Sequence, residues 1–388
     1  MRQIHPSSIE MKRLLLCFIF LWVGIYLFAQ KEEAPFPSFH FHLHALDFQK
    51  LIESKGQKFE LKPIRAQLND EEIQIEKIRI RGKSSLHFSR KSFSIHLSKN
   101  SELKFSSSSK DFRKFYLMSL SMDKFDYYNR LAFQCMAEIG IFPLDYRYAQ
   151  LKINEEDQGT YFFVEKPDEY VLKELKGNFI MRRGAYSQAD NIELAKGLSK
   201  AEAKSYQKKY LQIKRICKQY EGKELKEQLS ALIDLAAYMK WLAFNYWINN
   251  GDYNDEVFFY VKEESSTPLF SILPWDYDDI FAEGPHEGWS IRNKRIEDAL
   301  IFSSEDYLGR KIATDSVLYT DYMKVLEGVI AVLSEEKLKQ IFKEIREELK
   351  ALDRQQKGDR LMGRLQDLEE KFEFMLAKRA EMQLMMKK

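Results

Sequence analysis

The order of the sequence patterns along the chain constrains its fold more than any other feature. Residues 36–175 alternate apolar and polar side chains or are rich in β-branched and aromatic residues, which predicts strands with a single helix among them. In residues 176–388 apolar side chains recur at three- and four-residue spacing, which predicts helices. We therefore expect an α+β protein with a β-rich N-terminal lobe at 36–175 and a mostly helical C-terminal lobe at 176–388.

The individual elements are placed from the same patterns. The strand-like segments of the first region are Phe39–Leu46, Ile73–Arg81, Lys91–Leu97, Phe115–Leu120, Ala149–Ile153 and Thr160–Glu165. The helix of this region runs from Tyr127 to Ile139 and is closed by Gly140. The second region is predicted to contain helices at Lys196–Tyr220, Lys223–Asn249 and most of Tyr319–Lys388, with one strand pair at Val257–Lys262 and Leu269–Leu273.

The first thirty residues have the pattern of a targeting signal. Lys12 and Arg13 precede Leu14–Ala29, a run of sixteen residues without a charge, and cleavage is expected after Ala29. The alternative is a retained N-terminal anchor, although sixteen residues is just below the usual membrane-spanning length. We therefore expect an exported protein that is periplasmic, secreted or membrane-anchored. It would contact a membrane only through residues 1–29, and only if they are uncleaved.

The charge of the chain excludes some classes of partner. The 388 residues contain 61 Lys and Arg against 59 Asp and Glu, a net charge of +2. Residues 1–29 hold three basic residues and one acidic residue, so the remainder has 58 of each sign. This balance argues against a nucleic-acid-binding protein. Three cysteines form no disulfide framework, and Cys135 and Cys217 are expected to be buried thiols rather than one bridge.

Two acidic segments carry the clearest chemical signal. An apolar helix ends in Asn-Asn-Gly-Asp at residues 249–252, and the second strand of the following hairpin ends in Pro-Trp-Asp-Tyr-Asp-Asp at residues 274–279. Because a hairpin brings its two ends together, Asp252 and Asp276 should lie close despite a separation of 24 residues. Clustered carboxylates repel each other, so holding them together normally requires a cation. Mg²⁺ and Mn²⁺ are the cations that suit oxygen ligands of this kind. A solvated acidic loop would show the same spacing.

The β-rich region offers complementary basic groups. The predicted strand that ends at Arg81 is followed by Gly-Lys-Ser-Ser at residues 82–85, a small polar turn whose backbone N–H groups and cationic side chains can face phosphate. Lys91 opens the next strand and could reach beneath this turn. An ordinary hairpin would have the same composition.

Taken in order, these segments resemble the spore coat protein H (CotH) kinase family of atypical protein kinases. The likeness covers roughly residues 36–279 and is weaker in the C-terminal helices. In the β-rich region, residues 81–85 resemble the family's Arg-Gly-Asn-Ser-Ser element and residues 90–93 its Lys-Lys element. Residues 129–140 resemble its helix ending in Gly, and residues 154–166 its hairpin that runs from Asn to Glu-Lys. In the helical region, residues 250–252 resemble its Asn-x-Asp element and residues 274–278 its Pro-Trp-Asp-x-Asp element.

This resemblance implies a two-lobed, atypical protein-kinase-like fold that uses ATP and Mg²⁺ or Mn²⁺ to phosphorylate Ser or Thr of a protein substrate, expected to be an exported or surface protein. Asp252 would be the catalytic residue, and the metal would be held by Asp276 and Asp278, with Asn254 as the nearest amide ligand. The ATP-binding residues implied are Arg81, Ser84 and Ser85 beside the triphosphate, Lys91 on a phosphate, Glu138 paired with Lys91, and Glu165 near the adenine at the junction of the lobes.

Three departures from the family pattern leave other functions open. Lys83 replaces an Asn, acidic residues at 255–256 precede the Tyr-containing strand, and the Gly after the Asp pair is displaced to Gly284. A catalytically weak or inactive kinase-like protein that binds nucleotide or a partner at the cell envelope is the main alternative. A different metal-dependent enzyme, such as a hydrolase, is the third. The Lys-rich segment Lys196–Lys226 is expected to be a solvated helical face, with acceptor docking as its alternative role.

Overall fold

The computed structural model describes most of the chain after residue 35. The described ranges are 36–54, 59–62, 64–82, 84–105, 108–184, 188–194, 199–254, 256–261, 269–285, 296, 298–303, 305–356 and 360–387. The predicted targeting segment at residues 1–29, Lys83 and Asp255 lie outside these ranges, so the predictions made for them remain predictions. Within them, no helix combines the length and the apolar character needed to cross a membrane.

The N-terminal region is a closed seven-stranded barrel with the strand order β1-β2-β3-β4-β7-β9-β8. Its strands are β1 Ser38–His42, β2 Ile64–Leu68, β3 Glu71–Arg81, β4 Ser92–Leu97, β7 Lys114–Met118, β8 Tyr146–Ile153 and β9 Glu156–Glu165. The short strands β5 Leu103–Lys104 and β6 Asp111–Phe112 pair with each other beside it. All barrel pairs are antiparallel except β1 with β8, whose parallel pairing closes the barrel.

The alternating pattern of the strands fills the barrel interior. In β1, Phe39 and Phe41 are fully buried while the histidines between and after them are more exposed. Ile75 of β3, Ile95 of β4 and Phe115 of β7 are likewise fully buried in the same cluster. Burying each such side chain stabilises the fold by about 1.5–3 kcal/mol relative to leaving it exposed, so this apolar face holds the barrel together.

The helical part contains a second, four-stranded sheet with the order β11-β10-β12-β13. Its strands are β10 Phe179–Gly184, β11 Gln188–Leu194, β12 Val257–Val261 and β13 Phe270–Pro274. The helices are α1 Ala45–Glu53 and α2 Tyr128–Glu138 in the β-rich region, then α3 Lys200–Gln219, α4 Gly222–Ser230, α5 Leu235–Trp247, α6 Tyr307–Thr314, α7 Ser316–Val332, α8 Glu335–Gln356 and α9 Leu361–Met385. A helical turn, Pro167–Glu169, and a π-helical turn, Tyr170–Glu174, connect the barrel to β10.

Helix α2 joins the two parts of the molecule. Although it lies in the β-rich stretch of sequence, its buried residues belong to the core of the helical part. The same core includes Phe162 and Val164 of β9, which point away from the barrel interior. Arg130 of α2 makes a two-pronged ion pair with Glu348 of α8, at 2.8 and 3.0 Å. Helix α2 is thus packed between the barrel wall and the C-terminal helices.

The predicted α+β composition with a β-rich N-terminal region is confirmed, and several details differ. The six predicted strands and the α2 helix are present, and both described cysteines are buried and free. Helix α1 and strands β2, β5, β6, β10 and β11 were not predicted, and the strand predicted to end at Leu46 ends at His42, before α1 begins at Ala45. The single helix predicted for residues 223–249 is two helices, because Asp234 accepts the Ala237 N–H at 3.0 Å and begins α5 as a new helix.

A buried ionic network attaches α9 to the loop before α2. Arg364 of α9 binds the Asp126 carboxylate, and both side chains are about 5% exposed. In the same loop, the Tyr127 hydroxyl donates to Asp367 of α9 at 2.6 Å. On the barrel side, the Tyr148 hydroxyl donates to the Asp126 carbonyl at 2.7 Å. The two contacts with α9 join residues about 240 positions apart in the sequence.

Replacing Arg364 by Met should lower the free energy of unfolding by about 3–5 kcal/mol, because the Asp126 charge would remain buried without its main partner. Urea unfolding followed by circular dichroism measures this difference. The matched control is Arg346→Met, which breaks the more exposed pair with Glu369 and should change stability by no more than about 1 kcal/mol. Equal losses in the two variants would contradict the assignment of the Arg364 pair as a structural attachment.

Candidate active site

Two loops lie side by side where α5 and β13 end. The Gly251 N–H donates to the Asp279 carbonyl at 2.9 Å, and the Ala282 N–H donates to the Asn249 carbonyl at 2.9 Å. A Cβ atom on Gly251 would lie 2.1 Å from Asp279 Oδ2, so glycine permits this close approach. The predicted hairpin is formed by β12 and β13, and it brings the two acidic segments together.

Five carboxylates share this region. Burial, and after it the charges of Asp276, Asp123, Asp279 and Asp252 in that order of influence, together raise the pKa of Asp278 to about 9. Such an effect requires these groups to lie close to Asp278 in a poorly solvated place. Asp252, Asp276 and Asp278, which the sequence singled out, are therefore brought into one cluster. We call these five residues the carboxylate cluster.

The carboxylate cluster has the donor chemistry of a divalent-cation site. The Oδ1 atom of Asp276 is buried and accepts no hydrogen bond from any described residue, and the backbone of Asp276 is left-handed with φ 52°. An unsatisfied buried carboxylate oxygen is costly unless a cation or donor satisfies it. Within the described ranges, no three His, Cys, Asp or Glu side chains are grouped as ligands of one metal ion. Mg²⁺ binds through one or two carboxylates together with phosphate oxygens and water, and Asp276 and Asp278 fit that smaller set.

Asp123 is a member of the cluster that the sequence did not predict. Its carboxylate accepts the backbone N–H groups of Tyr127 and Asn129 at 3.1 and 3.0 Å, at the start of α2. Its pKa is raised to about 7, mainly by burial; the hydrogen bonds from the helix oppose this rise, and the charge of Asp126 adds to it. A carboxylate just before a helix is a common capping pattern, so the only signal in the sequence pointed to a structural role.

Asn129 connects α2 to the acidic segment after β13. Its side-chain oxygen accepts the Tyr277 N–H at 2.9 Å, and the residue is 1% exposed. The Tyr277 N–H lies between Asp276 and Asp278 in the sequence, so α2 fixes the backbone that carries both carboxylates. The sequence placed Asn129 in a helix of the family pattern without assigning it this contact.

Arg81, at the end of barrel strand β3, contacts the segment that carries the carboxylate cluster. Its guanidinium lies 4.3 Å from the ring centroid of Tyr116 and 5.5 Å from that of Trp275, the residue before Asp276. Gly82, which follows, has φ 112°, and a Cβ atom there would lie 1.8 Å from Ser85 Oγ. The 3₁₀ helix Ser84–His87 continues from this turn. The small polar turn predicted to face phosphate is therefore attached to the cluster through Arg81 and Trp275.

The predicted ion pair between Lys91 and Glu138 is wrong. Lys91 Nζ donates to the carbonyl oxygens of Leu86 and Phe88 at 2.6 and 2.5 Å, within the turn itself. Glu138 lies at the C-terminal end of α2 and pairs with Lys337 of α8 at 3.2 Å. The start of α2, rather than its end, faces the carboxylate cluster, which directs Glu138 toward the C-terminal helices.

Asn254 also has partners other than those predicted. Its side-chain oxygen accepts from Arg183, and its amide donates to Ser303 and Glu305 at 2.8 and 3.0 Å. Arg183 is 2% exposed and forms an ion pair with Asp306 at 3.1 Å. Both polar side-chain atoms of Asn254 are therefore engaged by protein, and the structure does not present it as a metal ligand.

Glu165 is the last residue of β9, where the barrel connects to the helical part. Its carboxylate binds Lys110 at 2.9 Å and accepts the Asp145 N–H at 3.1 Å. Burial raises the pKa of Glu165, while Lys110 opposes the rise. The side chain therefore fastens the segment before β8 to the end of β9.

Comparison with known proteins assigns the chain to a family. The family described as CotH kinase protein matches residues 78–375, well over half of the chain. The chain belongs to the CotH kinase family. Inner spore coat protein H of Bacillus subtilis (strain 168) is 25% identical over 328 residues, which cover 78% of this chain and 83% of that relative. The region matched to the CotH kinase family contains Arg81, Asp123, Asn129 and the loops of the carboxylate cluster.

Replacing Asn129 by Ala should expose the function of its contact with Tyr277. The variant leaves a buried N–H without an acceptor, so we expect a loss of about 1–3 kcal/mol in the free energy of unfolding. Hydrogen exchange measured by mass spectrometry should accelerate in the peptide that contains Tyr277.

Asn154→Ala is the matched control for this experiment. The Asn154 side-chain oxygen accepts the Leu43 N–H at 2.8 Å in the barrel, so exchange should accelerate near Leu43 and not near Tyr277. Unchanged exchange at Tyr277 in the Asn129 variant would contradict the positioning of the acidic loop by α2.

Proposed function

We propose that this protein transfers the γ-phosphoryl group of ATP to Ser or Thr hydroxyls of a protein, with Mg²⁺ or Mn²⁺ as the metal. The observation that carries this proposal is the carboxylate cluster beside Trp275 and Arg81, with a buried Asp276 oxygen that accepts no hydrogen bond from the described residues. Kinase-type phosphoryl transfer requires one carboxylate for the acceptor hydroxyl and another for the metal on the phosphates. Membership of the CotH kinase family supports the same chemistry.

Asp252 is the residue we assign to the acceptor hydroxyl. Its backbone N–H donates to Asn250 Oδ1 at 3.2 Å, and Asn250 in turn donates to Asn245 Oδ1 at 3.0 Å. This series of amides fixes the loop to the end of α5. In the proposed reaction Asp252 orients the hydroxyl and accepts its proton while the new O–P bond forms and the bond from the γ-phosphorus to the leaving ADP oxygen breaks.

The remaining groups are assigned to binding. Asp276 and Asp278 would hold the divalent cation, which supplies neutralisation of the phosphate charge when bound. The backbone of the Gly82–Ser85 turn and the Arg81 guanidinium would face the triphosphate. Lys91 binds two carbonyl oxygens of the following turn, so in our proposal it stiffens that segment and turns toward phosphate only by giving up these hydrogen bonds.

We also propose that the reaction takes place outside the cytoplasm. The predicted targeting segment at residues 1–29 and the name of the Bacillus relative, an inner spore coat protein, both favour an exported or surface location. Periplasmic, secreted and membrane-anchored forms are all compatible with that segment. The acceptor would accordingly be another exported or surface protein.

A nucleotide-binding protein without transfer activity is the second candidate. It is favoured by Asn254, whose polar atoms are engaged by Arg183, Ser303 and Glu305, and by Glu138, which pairs with Lys337 rather than Lys91. ATP would then stabilise the protein against thermal unfolding, by about 1.4 kcal/mol for each tenfold excess over Kd, without transfer of phosphate.

Labelled ATP distinguishes the two candidates. Incubation with Mg²⁺ or Mn²⁺ should label protein, and Asp252→Ala should lower the rate by about 100-fold or more, because the group that accepts the hydroxyl proton is lost. Asp276→Ala should lower it similarly through loss of the metal. Asp47→Ala, in α1 on the barrel, is the control and should leave the rate unchanged. Label transfer that survives both cluster substitutions would contradict the site assignment.

Gly82→Ala tests the phosphate-binding turn separately from catalysis. The positive φ and the 1.8 Å approach to Ser85 Oγ make this position strained for any side chain. The turn would rearrange to relieve a strain of about 1–3 kcal/mol, which corresponds to a loss of about 5- to 150-fold in ATP affinity, measured by isothermal titration calorimetry. Gly328→Ala in α7, where nothing lies within 4 Å of the added Cβ, is the control. Equal ATP affinity in the two variants would contradict the assignment of the Gly82–Ser85 turn to the nucleotide site.

A further inference from the structure

Helix α3 presents a basic face that the catalytic proposal does not use. The helix begins with a capping box between Ser199 and Glu202 and packs inward through residues such as Tyr210 and Ile213. Its outward positions are occupied by basic side chains. The exposed ones are Lys204, Lys208, Lys214, Arg215 and Lys218.

These five side chains lack acidic partners in the described part of the chain, where no ion pair involves any of them. Four of the six basic residues of α8 differ: Lys337, Lys339, Arg346 and Lys350 each bind a glutamate. In a chain with almost equal numbers of acidic and basic residues, α3 therefore carries a local positive excess. Such an excess attracts anionic partners and raises their rate of association.

The positive excess is concentrated around Tyr307, the first residue of α6. Lys214 Nζ lies 4.3 Å from the Tyr307 ring centroid, the Arg310 guanidinium 4.5 Å and Lys218 Nζ 5.8 Å. A hydrogen bond with Lys214 and the charges of these three residues hold the pKa of Tyr307 below its usual value. We call the five exposed basic residues of α3 together with Tyr307 and Arg310 the α3–α6 surface.

An apolar element lies among these charges. Leu211 of α3 is 46% exposed, although it is a large hydrophobic residue. It lines a small cavity of about 30 Å³ between α3 and α6, together with Lys214 and Tyr307. Basic side chains around an exposed leucine fit a peptide with acidic residues and an apolar side chain better than they fit a free inorganic anion.

The α3–α6 surface is connected to the loop that carries Asp252. Asp306 begins α6 by accepting the Gly309 N–H at 2.8 Å and also binds the buried Arg183 at 3.1 Å. Arg183 donates to the backbone carbonyl of Asn254, two residues after Asp252. A chain bound on this surface is thus held by elements that are fixed to the candidate catalytic loop.

We propose that the α3–α6 surface docks an acidic segment of the acceptor protein and so directs a nearby Ser or Thr toward Asp252. This inference rests on the proposed kinase function for its second half, while the docking itself is independent of catalysis. Charge complementarity identifies the occupant as a peptide rich in Asp and Glu that contains an apolar residue.

Direct binding tests the docking without any reaction. The full-length protein is titrated at low salt into a fluorescent 12-residue peptide rich in Glu with one central Leu, and into the same peptide with Gln in place of Glu. We expect the Glu peptide to bind at least tenfold more tightly, as measured by anisotropy. The triple variant Lys208→Gln, Lys214→Gln, Lys218→Gln should weaken that binding about tenfold and reduce its salt dependence.

The matched control neutralises three lysines of α8, with Lys339→Gln, Lys343→Gln and Lys350→Gln, and should bind the Glu peptide like the unmodified protein. Circular dichroism and thermal unfolding verify that both triple variants are folded. Equal binding of the Gln and Glu peptides, or equal loss in the two triple variants, would overturn the proposal. Binding of phosphatidylserine vesicles without binding of the Glu peptide would overturn it in favour of a membrane surface.

Kinetics separates failure of docking from failure of the proposed reaction. With a Ser peptide that carries the acidic segment, the α3 triple variant should raise KM about tenfold and leave kcat within about twofold. A peptide without the acidic segment should show no difference between the proteins. Absence of phosphate transfer in every protein would reject the kinase function and leave the binding result to decide the docking site. A fall in kcat with unchanged KM would contradict docking.

Discussion

Repulsion among the carboxylates at the ends of α5 and β13 is the interaction that the surrounding structure has to oppose. Asp278 has four acidic neighbours in a largely buried place, and the charged forms of such groups are disfavoured both by burial and by each other. The opposing contacts are hydrogen bonds of the backbone. Gly251 binds the Asp279 carbonyl, and Asn129 accepts the Tyr277 N–H, so the acidic loops are held by groups that carry no positive charge. The unfavourable energy of the cluster is therefore available to favour a bound cation.

The helices far along the chain complete this arrangement. Arg364 and Asp367 of α9 bind the loop before α2, and the same loop contains Asp123 of the cluster. From the other side, the ring of Phe374 lies 5.3 Å from that of Phe281, just after the acidic segment. Helix α9 thus contacts both loops that flank the carboxylates. Since its sequence is an ordinary amphipathic pattern, its role in supporting the site depends on packing and not on any local motif.

Patterns in neighbouring residues predicted the strands, the helices and the hairpin, because these depend on interactions between residues close in sequence. Alternating residues identified Ile73–Arg81 as a strand, and a hairpin between two acidic segments correctly brought Asp252 and Asp276 into one region. The errors concern partners that are distant in sequence. Glu138 binds Lys337 and Asn254 binds Arg183, across roughly 200 and 70 residues, and neither pairing is encoded in the spacing of nearby residues. Asp123 was missed for the same reason, because it joins the cluster only through the position of α2.

Although the net charge of the chain is near zero, its charged groups are unevenly distributed in the structure. Acidic groups concentrate in the carboxylate cluster, and basic groups without acidic partners among the described residues concentrate on α3. At physiological salt, exposed charges act over about 8 Å, so the two regions attract different ligands: a cation in one case and an anionic chain in the other. Arg183 connects them, because it binds Asp306 at the start of α6 and the backbone beyond Asp252. A chain held by the basic region is for this reason held at a defined position relative to the acidic one, which is what transfer to a bound acceptor requires.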